Sequence, residues 1–189
     1  MLRITGGEWC GRKIATPEGD ATRPSMDQHR QRLMNILGHD MTGTTVLDLF
    51  AGSGAFAFEC LSRGASSAVA VEIGRDALCV LRKNVAKLVS KPEMCKVIAG
   101  DCFDLKAAGV RGTFDIIFIA PPYPHFATER AGIDSIIAAL PSLLNADGIA
   151  IVQHDAGQFT VVDVPGVAVD DVRAMGRTEF TFLRRATVA

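Results

Sequence analysis

The apolar positions of this chain fall into two alternating kinds of block: short compact runs, and longer stretches in which they recur every three or four residues. Runs at 46–50, 68–72, 96–99, 114–119 and 148–153 predict five strands, and later runs near 167–172 and 179–184 predict two more. Between them, 54–63, 76–89 and 128–144 predict helices. The second of these shows the helical period best. Leu78, Leu81, Val85 and Leu88 share one face, Lys83 and Lys87 lie on the wet side, and Pro92 stands just beyond the end. Strand, helix, strand in this order predicts parallel βαβ units. The fold class is therefore α/β, a mostly parallel seven-stranded sheet with helices on both faces.

The first forty residues read differently. Leu2, Ile4, Trp9 and Ile14 lie among glycines and basic residues, which suits a small hairpin or arm better than a core element, with turns at Gly6, Gly7 and Gly11. A helix is expected from Ser25, with Gln28 three residues on in the spacing of a capping box. Leu33, Met34, Ile36 and Leu37 give it an apolar face, Gly38 stops it, and Arg30 and Arg32 point elsewhere. This helix is placed outside the sheet, leaning over its edge. One domain over 1–189 is expected, with 1–40 as arm and helix and 41–189 as the core.

Composition narrows the function classes. Hydrophobic residues make up 48% of 189, charged residues 22%, and the net charge is −1, which excludes a disordered chain and a generally sticky polycation. Any nucleic-acid contact must then be a local patch. Cys10, Cys60, Cys79, Cys95 and Cys102 form no C-x-x-C pair and are odd in number, against both a disulfide framework and a zinc site. No apolar stretch is long enough to cross a bilayer, so a soluble, cytoplasmic protein with reduced thiols is expected.

The chemistry gathers where strands end. At 46–57 the sequence VLDLFAGSGAFA carries a strand with Asp48 in it, then a turn in which Gly52 and Gly54 let the backbone approach a ligand beside helix-start N–H groups. This is a nucleotide-type cofactor site or a plain strand, turn and helix. Glu72, about twenty residues past the turn, can accept the hydroxyl protons of an adenosine ribose, or be a solvated strand-end acid. Asp101 can accept from an adenine amino group, with Cys102 and Phe103 beside the ring, or be a turn residue. Gly52 to Ala57 also fits G-x-G-x-x-A, which admits a nicotinamide dehydrogenase. Against that stands the corner Ala120-Pro121-Pro122-Tyr123: a dehydrogenase has no evident use for it, whereas a methyltransferase acting on a base amine uses such a corner to hold the flat amine against the methyl donor.

Longer runs carry a resemblance. They are Arg3-Ile4-Thr5-Gly6-Gly7 with Gly11-Arg12-Lys13, Arg23-Pro24-Ser25 with Asp27 and Arg30, and Asn35-Ile36-Leu37. Most specific is Leu47-Asp48-Leu49-Phe50-Ala51-Gly52-Ser53-Gly54-Ala55, continued by Glu59, Leu61-Ser62-Arg63-Gly64-Ala65 and Val71-Glu72. From Arg3 to about Arg184 the chain resembles the RsmD-like family of bacterial 16S ribosomal RNA guanine-N2 methyltransferases. That resemblance implies a class I, Rossmann-like methyltransferase fold and S-adenosylmethionine as cofactor. It implies that Asp48, Phe50, Ala51, Gly52, Ser53 and Gly54 form the methionine end, Glu72 the ribose clamp and Asp101 the adenine partner, with Ile73 and Cys102 also binding the cofactor. Ala120, Pro121, Pro122 and Tyr123 would be the catalytic corner, and Arg12, Arg23, Arg30 and Tyr123 the substrate contacts, without a metal. Implied partners are 16S ribosomal RNA or a small-subunit assembly intermediate, met by a monomer.

Three positions depart from the family. Its corner opens with Asp or a similar polar residue where this chain has Ala120; Gln31 replaces a usual Glu and Gln28 a usual Arg. Residues 1–40 hold six bases against five acids, so the N-terminal patch is barely positive. Two other readings therefore stand beside the first: an inactive S-adenosylmethionine- or RNA-binding module that lost its acceptor at Ala120, and an N6-adenine DNA methyltransferase.

Overall fold

In the computed structural model the described residues are 2–17, 24–161 and 164–186, without the side chains of 24–27. Strands β1 (Leu2–Arg3) and β2 (Lys13–Ile14) pair antiparallel, Leu2 opposite Ile14, as the expected hairpin. Its apolar residues correct the notion of a peripheral arm. Leu2, Ile4, Trp9 and Ile14 are each at most 5% exposed and belong to the main core on one face of the sheet. Helix α1 (Pro24–Leu37) includes Ser25 among its described residues. Leu33 and Met34 are buried in the same core, Ile36 is largely exposed, and Gly38 at φ 101° ends the helix.

The rest follows the predicted alternation: β3 (Thr45–Leu49), α2 (Ala55–Ser62), β4 (Ser67–Glu72), α3 (Arg75–Leu88), β5 (Cys95–Ala99), β6 (Phe114–Ile119), α4 (His125–Thr128), α5 (Arg130–Leu143), β7 (Leu144–Asp155), β8 (Val167–Met175) and β9 (Thr178–Arg185). The seven-stranded sheet has the order β5-β4-β3-β6-β7-β9-β8. All neighbours from β5 to β7 are parallel, and β9 runs antiparallel to both β7 and β8. Strand β7 starts earlier than the predicted 148–153, because Leu144 pairs with Phe114 across a register shift before Ile149 pairs with Ile116.

Side chains of β3 alternate between two cores. Val46 faces the layer holding the hairpin, α1 and α2, while Leu47 and Leu49 face the layer holding α5 and Phe126. With both faces covered, the strand is buried from Val46 to Leu49, which explains its unbroken apolar text. The chain winds from β3 outward to β5 and then returns to lay β6 on the other side of β3, so the strand order reverses between β3 and β6. In open parallel sheets ligands bind outside the carboxyl ends of the strands at such a reversal. No helix among the described residues is long and apolar enough to cross a membrane.

Candidate active site

The carboxyl ends of β5, β4, β3 and β6 lie side by side, and each delivers one expected feature to the same rim. At β3 the turn is strained where it begins: Phe50, at φ 59°, is the sole non-glycine with positive φ among the described residues. Its N–H donates to Cys102 Sγ at 3.2 Å, and the thiol donates to the Val71 carbonyl at 3.7 Å. Cys102 is 1% exposed, and burial pushes its thiol up to about 12, so it stays protonated. The structure thus makes its side chain a brace across three strand ends; only its backbone is left to touch a ligand.

The two glycines have different reasons. A Cβ on Gly54 would come within 2.5 Å of Leu81 Cδ1 and 2.6 Å of Phe58 Cε2, so the close packing of α2 and α3 requires glycine there. On Gly52, at φ 54°, a Cβ would meet nothing nearer than the Phe50 carbonyl at 4.0 Å. Its outer side is open, as a turn that receives a ligand must be.

Asp48 lies beneath this turn. It is 2% exposed, and its Oδ2 accepts the Ala57 N–H in the first turn of α2 at 3.2 Å. Burial pushes its carboxyl up to about 7, against the downward pull of that hydrogen bond and with a further push from Glu72. Expected at the methionine end, Asp48 instead supports the turn from below.

Glu72 ties the rim together. Its Oε2 accepts the Gly52 N–H at 2.8 Å, and Oε1 accepts the N–H groups of Ile73 at 2.9 Å and Gly74 at 2.7 Å. A carboxylate offers about four lone-pair sites, so roughly one remains for an outside donor. Ile73, 63% exposed, presents an apolar surface beside it. Asp101 is exposed, and its Oδ1 accepts the Phe103 N–H at 2.9 Å. The Phe103 ring meets Phe50 edge-on at 5.3 Å and lies 5.8 Å from His125, so three rings join the segments after β3, β5 and β6. A half-buried carboxylate, an open glycine, an exposed isoleucine and a second acid fit an adenosyl group.

The corner after β6 is built from backbone. The Ala120 N–H reaches the Leu49 carbonyl at 3.5 Å, and the chain then turns through His125 N–H to Pro122 O at 2.9 Å and Phe126 N–H to Tyr123 O at 3.2 Å. Among the described residues the carbonyls of Ala120 and Pro121 accept no hydrogen bond. The Tyr123 hydroxyl is engaged with Thr178 Oγ1 at 3.0 Å and receives Gln153 Nε2 at 3.4 Å. What Tyr123 can offer a base is its ring. Beside it, His125 Nδ1 is buried without a partner.

The N-terminal cations divide. Arg12 is exposed, Arg23 lies outside the described residues, and Arg30 departs from the expected nucleic-acid contact. Arg30 is 8% exposed, with Nε 3.3 Å from Glu59 Oε2 and Nη2 donating to the Arg3 carbonyl at 2.6 Å. Glu59 is fully buried and also receives Arg63 Nη2 at 2.9 Å and Thr5 N–H at 3.0 Å. A buried carboxylate is costly unless paired, and two arginines supply the pairing. Arg30 therefore joins the hairpin to α2.

Asn84 went unremarked in the sequence although it is 1% exposed and polar on the apolar face of α3. Its Nδ2 donates to the carbonyls of Ser53 and Ala15, each at 3.0 Å, and its Oδ1 accepts the Ala15 N–H. A polar residue three positions from Leu81 was the available signal. His125 offered none beyond its place after the corner.

A family model described as Conserved hypothetical protein 95 matches residues 2–184. Ribosomal RNA small subunit methyltransferase D of Escherichia coli is 37% identical over 131 residues, covering 69% of this chain and 64% of that protein. The chain thus spans just under two thirds of that relative. The Haemophilus influenzae protein of the same name is 34% identical over 131 residues, 69% of this chain and 68% of its own length. Among solved structures, Escherichia coli yhhF, provisionally named a methyltransferase, matches with a TM-score of 0.79 at 27% identity over 97% of both chains.

Proposed function

Since the chain belongs to the family of ribosomal RNA small subunit methyltransferase D, we propose that it transfers a methyl group from S-adenosylmethionine to the exocyclic N2 amine of a guanine in 16S ribosomal RNA. One observation carries this reading: the glycine turn, Glu72, Asp101 and the Pro-Pro-Tyr corner stand on adjacent strand ends at the reversal of strand order. The cofactor, when bound, supplies a methyl group made electrophilic by its sulfonium.

The chain's own residues do the rest. Glu72 accepts a ribose hydroxyl proton with its remaining lone pair, Ile73 covers the adenine, and Asp101 accepts from the adenine amine. A guanine N2 lone pair is delocalised into the ring, so the amine becomes nucleophilic only as acceptors draw on its protons. The carbonyls of Ala120 and Pro121 are those acceptors, and the Tyr123 ring holds the extruded base. On this reading the protein is a cytoplasmic monomer that meets either the RNA or a small-subunit assembly intermediate.

Labelled methyl donor offered with assembled small ribosomal subunits, bare 16S RNA and duplex DNA tests the reading. Label on guanine N2 of a ribosomal substrate is the expected result. Label on adenine N6 of DNA would replace the substrate, and no transfer at all, with cofactor bound, would make the protein an inactive binding module.

A further inference from the structure

The cations of α3 differ from those of α1. Residues 75–91 hold five bases, Arg75, Arg82, Lys83, Lys87 and Lys91, against the single acid Asp76, a local charge of +4 on a chain of −1. All five bases are exposed, and none is in an ion pair among the described residues. The hairpin continues the same surface: Lys87 Nζ donates to the Lys13 carbonyl at 3.0 Å, placing exposed Lys13 against α3. A groove of about 510 Å³ runs along this face from exposed Ile73, with Arg75, Arg82 and Lys83 in its walls.

The face is also held in a defined relation to the rim. Buried Asn84, from the opposite side of α3, bonds the Ser53 carbonyl in the glycine turn and both polar groups of the Ala15 backbone. Strand β4, which feeds α3, is two strands away from β6. Surface cations outside any ion pair suit a phosphodiester backbone, whose charges are regularly spaced and carry condensed counterions to release.

We propose that the exposed face of α3, with the adjoining hairpin, is the surface on which the RNA backbone flanking the target guanine rests. The inference depends on the methyl-transfer reading and locates its substrate on a surface other than α1. Phosphate contact orients the strand while the corner selects the base.

The test is the double variant Arg82→Ala/Lys83→Ala, beside a control, Arg173→Ala/Arg177→Ala, that removes the same charge from the far edge of the sheet. Steady-state transfer to the ribosomal substrate and equilibrium binding over a range of salt are the readouts. The α3 variant is expected to raise KM for RNA by about tenfold and to lower the slope of log affinity on log salt by roughly 1.5, two phosphate contacts' worth. Cofactor affinity should stay constant, and the control should resemble the native protein. Native transfer with KM and salt slope unchanged in the α3 variant, or moved equally by the control, overturns this surface alone. No transfer to any ribosomal substrate by the native chain overturns the methyl-transfer reading and this inference with it.

Discussion

The two halves of the rim are built by different means. On the β3, β4 and β5 side, side chains hold backbone: Glu72 takes three N–H groups, Asp48 one and Cys102 another, so the donor half is set before any ligand arrives. On the β6 side, backbone stands alone. Ala120 brings no side-chain acceptor, Pro121 and Pro122 have no N–H, and among the described residues no backbone N–H bonds the carbonyls of Ala120 and Pro121. The donor half is over-determined and the acceptor half is open to alteration by single side chains.

The largest expected break in that comparison comes from Asp48. Its folded carboxyl titrates at about 7 against an unfolded value near 4. Over that window the native state binds the extra proton, so stability falls as pH rises from about 4 to 7 and then levels, by roughly 4 kcal/mol if the whole shift is expressed. Asp48→Asn, which can still accept the Ala57 N–H, should flatten that part of the profile. Urea unfolding of both proteins from pH 4 to 8 measures it, and parallel profiles would show that Asp48 is not the group responsible.

Glu72→Ala comes next. Each lost hydrogen bond to the charged group is worth roughly 1.5–3 kcal/mol, or one to two decades of cofactor affinity. Because three backbone N–H groups also lose their acceptor, the melting temperature should drop as well. Glu72→Gln, keeping one oxygen, should lie between the two. Calorimetric titration with S-adenosylmethionine checks this, and unchanged affinity in the alanine variant would remove Glu72 from the site.

On the proposed acceptor side, Ala120→Asp should add a side-chain acceptor beside the two backbone carbonyls. An added bond that strengthens in the transition state lowers the barrier by roughly 1.5–3 kcal/mol, about ten- to a hundredfold in single-turnover rate, without tightening cofactor binding. A slower variant with an undisturbed fold would show that the pocket is rebuilt around alanine.

The smallest effect sharpens the role of Tyr123. Tyr123→Phe removes the hydroxyl bond to Thr178 and should cost about 1 kcal/mol of stability while transfer stays within about threefold. A large loss of rate would give the hydroxyl a part in the chemistry.

Most of the sheet was legible because its strands are buried on both faces and say so in unbroken apolar text. β6 was read at its full extent, Phe114–Ile119, and β3, β4 and β5 to within one residue at either end. The clustering at the rim was readable for a related reason: in a parallel sheet the residues just after the strands gather along one edge. What escaped depends on partners far away in sequence. Nothing near Leu2 or Trp9 announces that the hairpin is core, and nothing near Arg30 reveals Glu59. The bracing role of the Cys102 thiol escaped because its partners, Phe50 and Val71, come from the ends of two other strands. The shifted start of β7 reflects pairing with Phe114 across an irregular register, which no local pattern encodes.

The hairpin's attachments also set an order of events during synthesis. Thr5 bonds Glu59, 54 positions later, and Ala15 bonds Asn84, 69 positions later. The hairpin, made before α2 and α3, must therefore wait for both before it has anything to close upon, and closing so long a loop carries an entropic cost that only the finished contacts offset. Until then Leu2, Ile4 and Trp9 are exposed to whatever else is nearby. The hairpin is made before its partners and becomes native only after them.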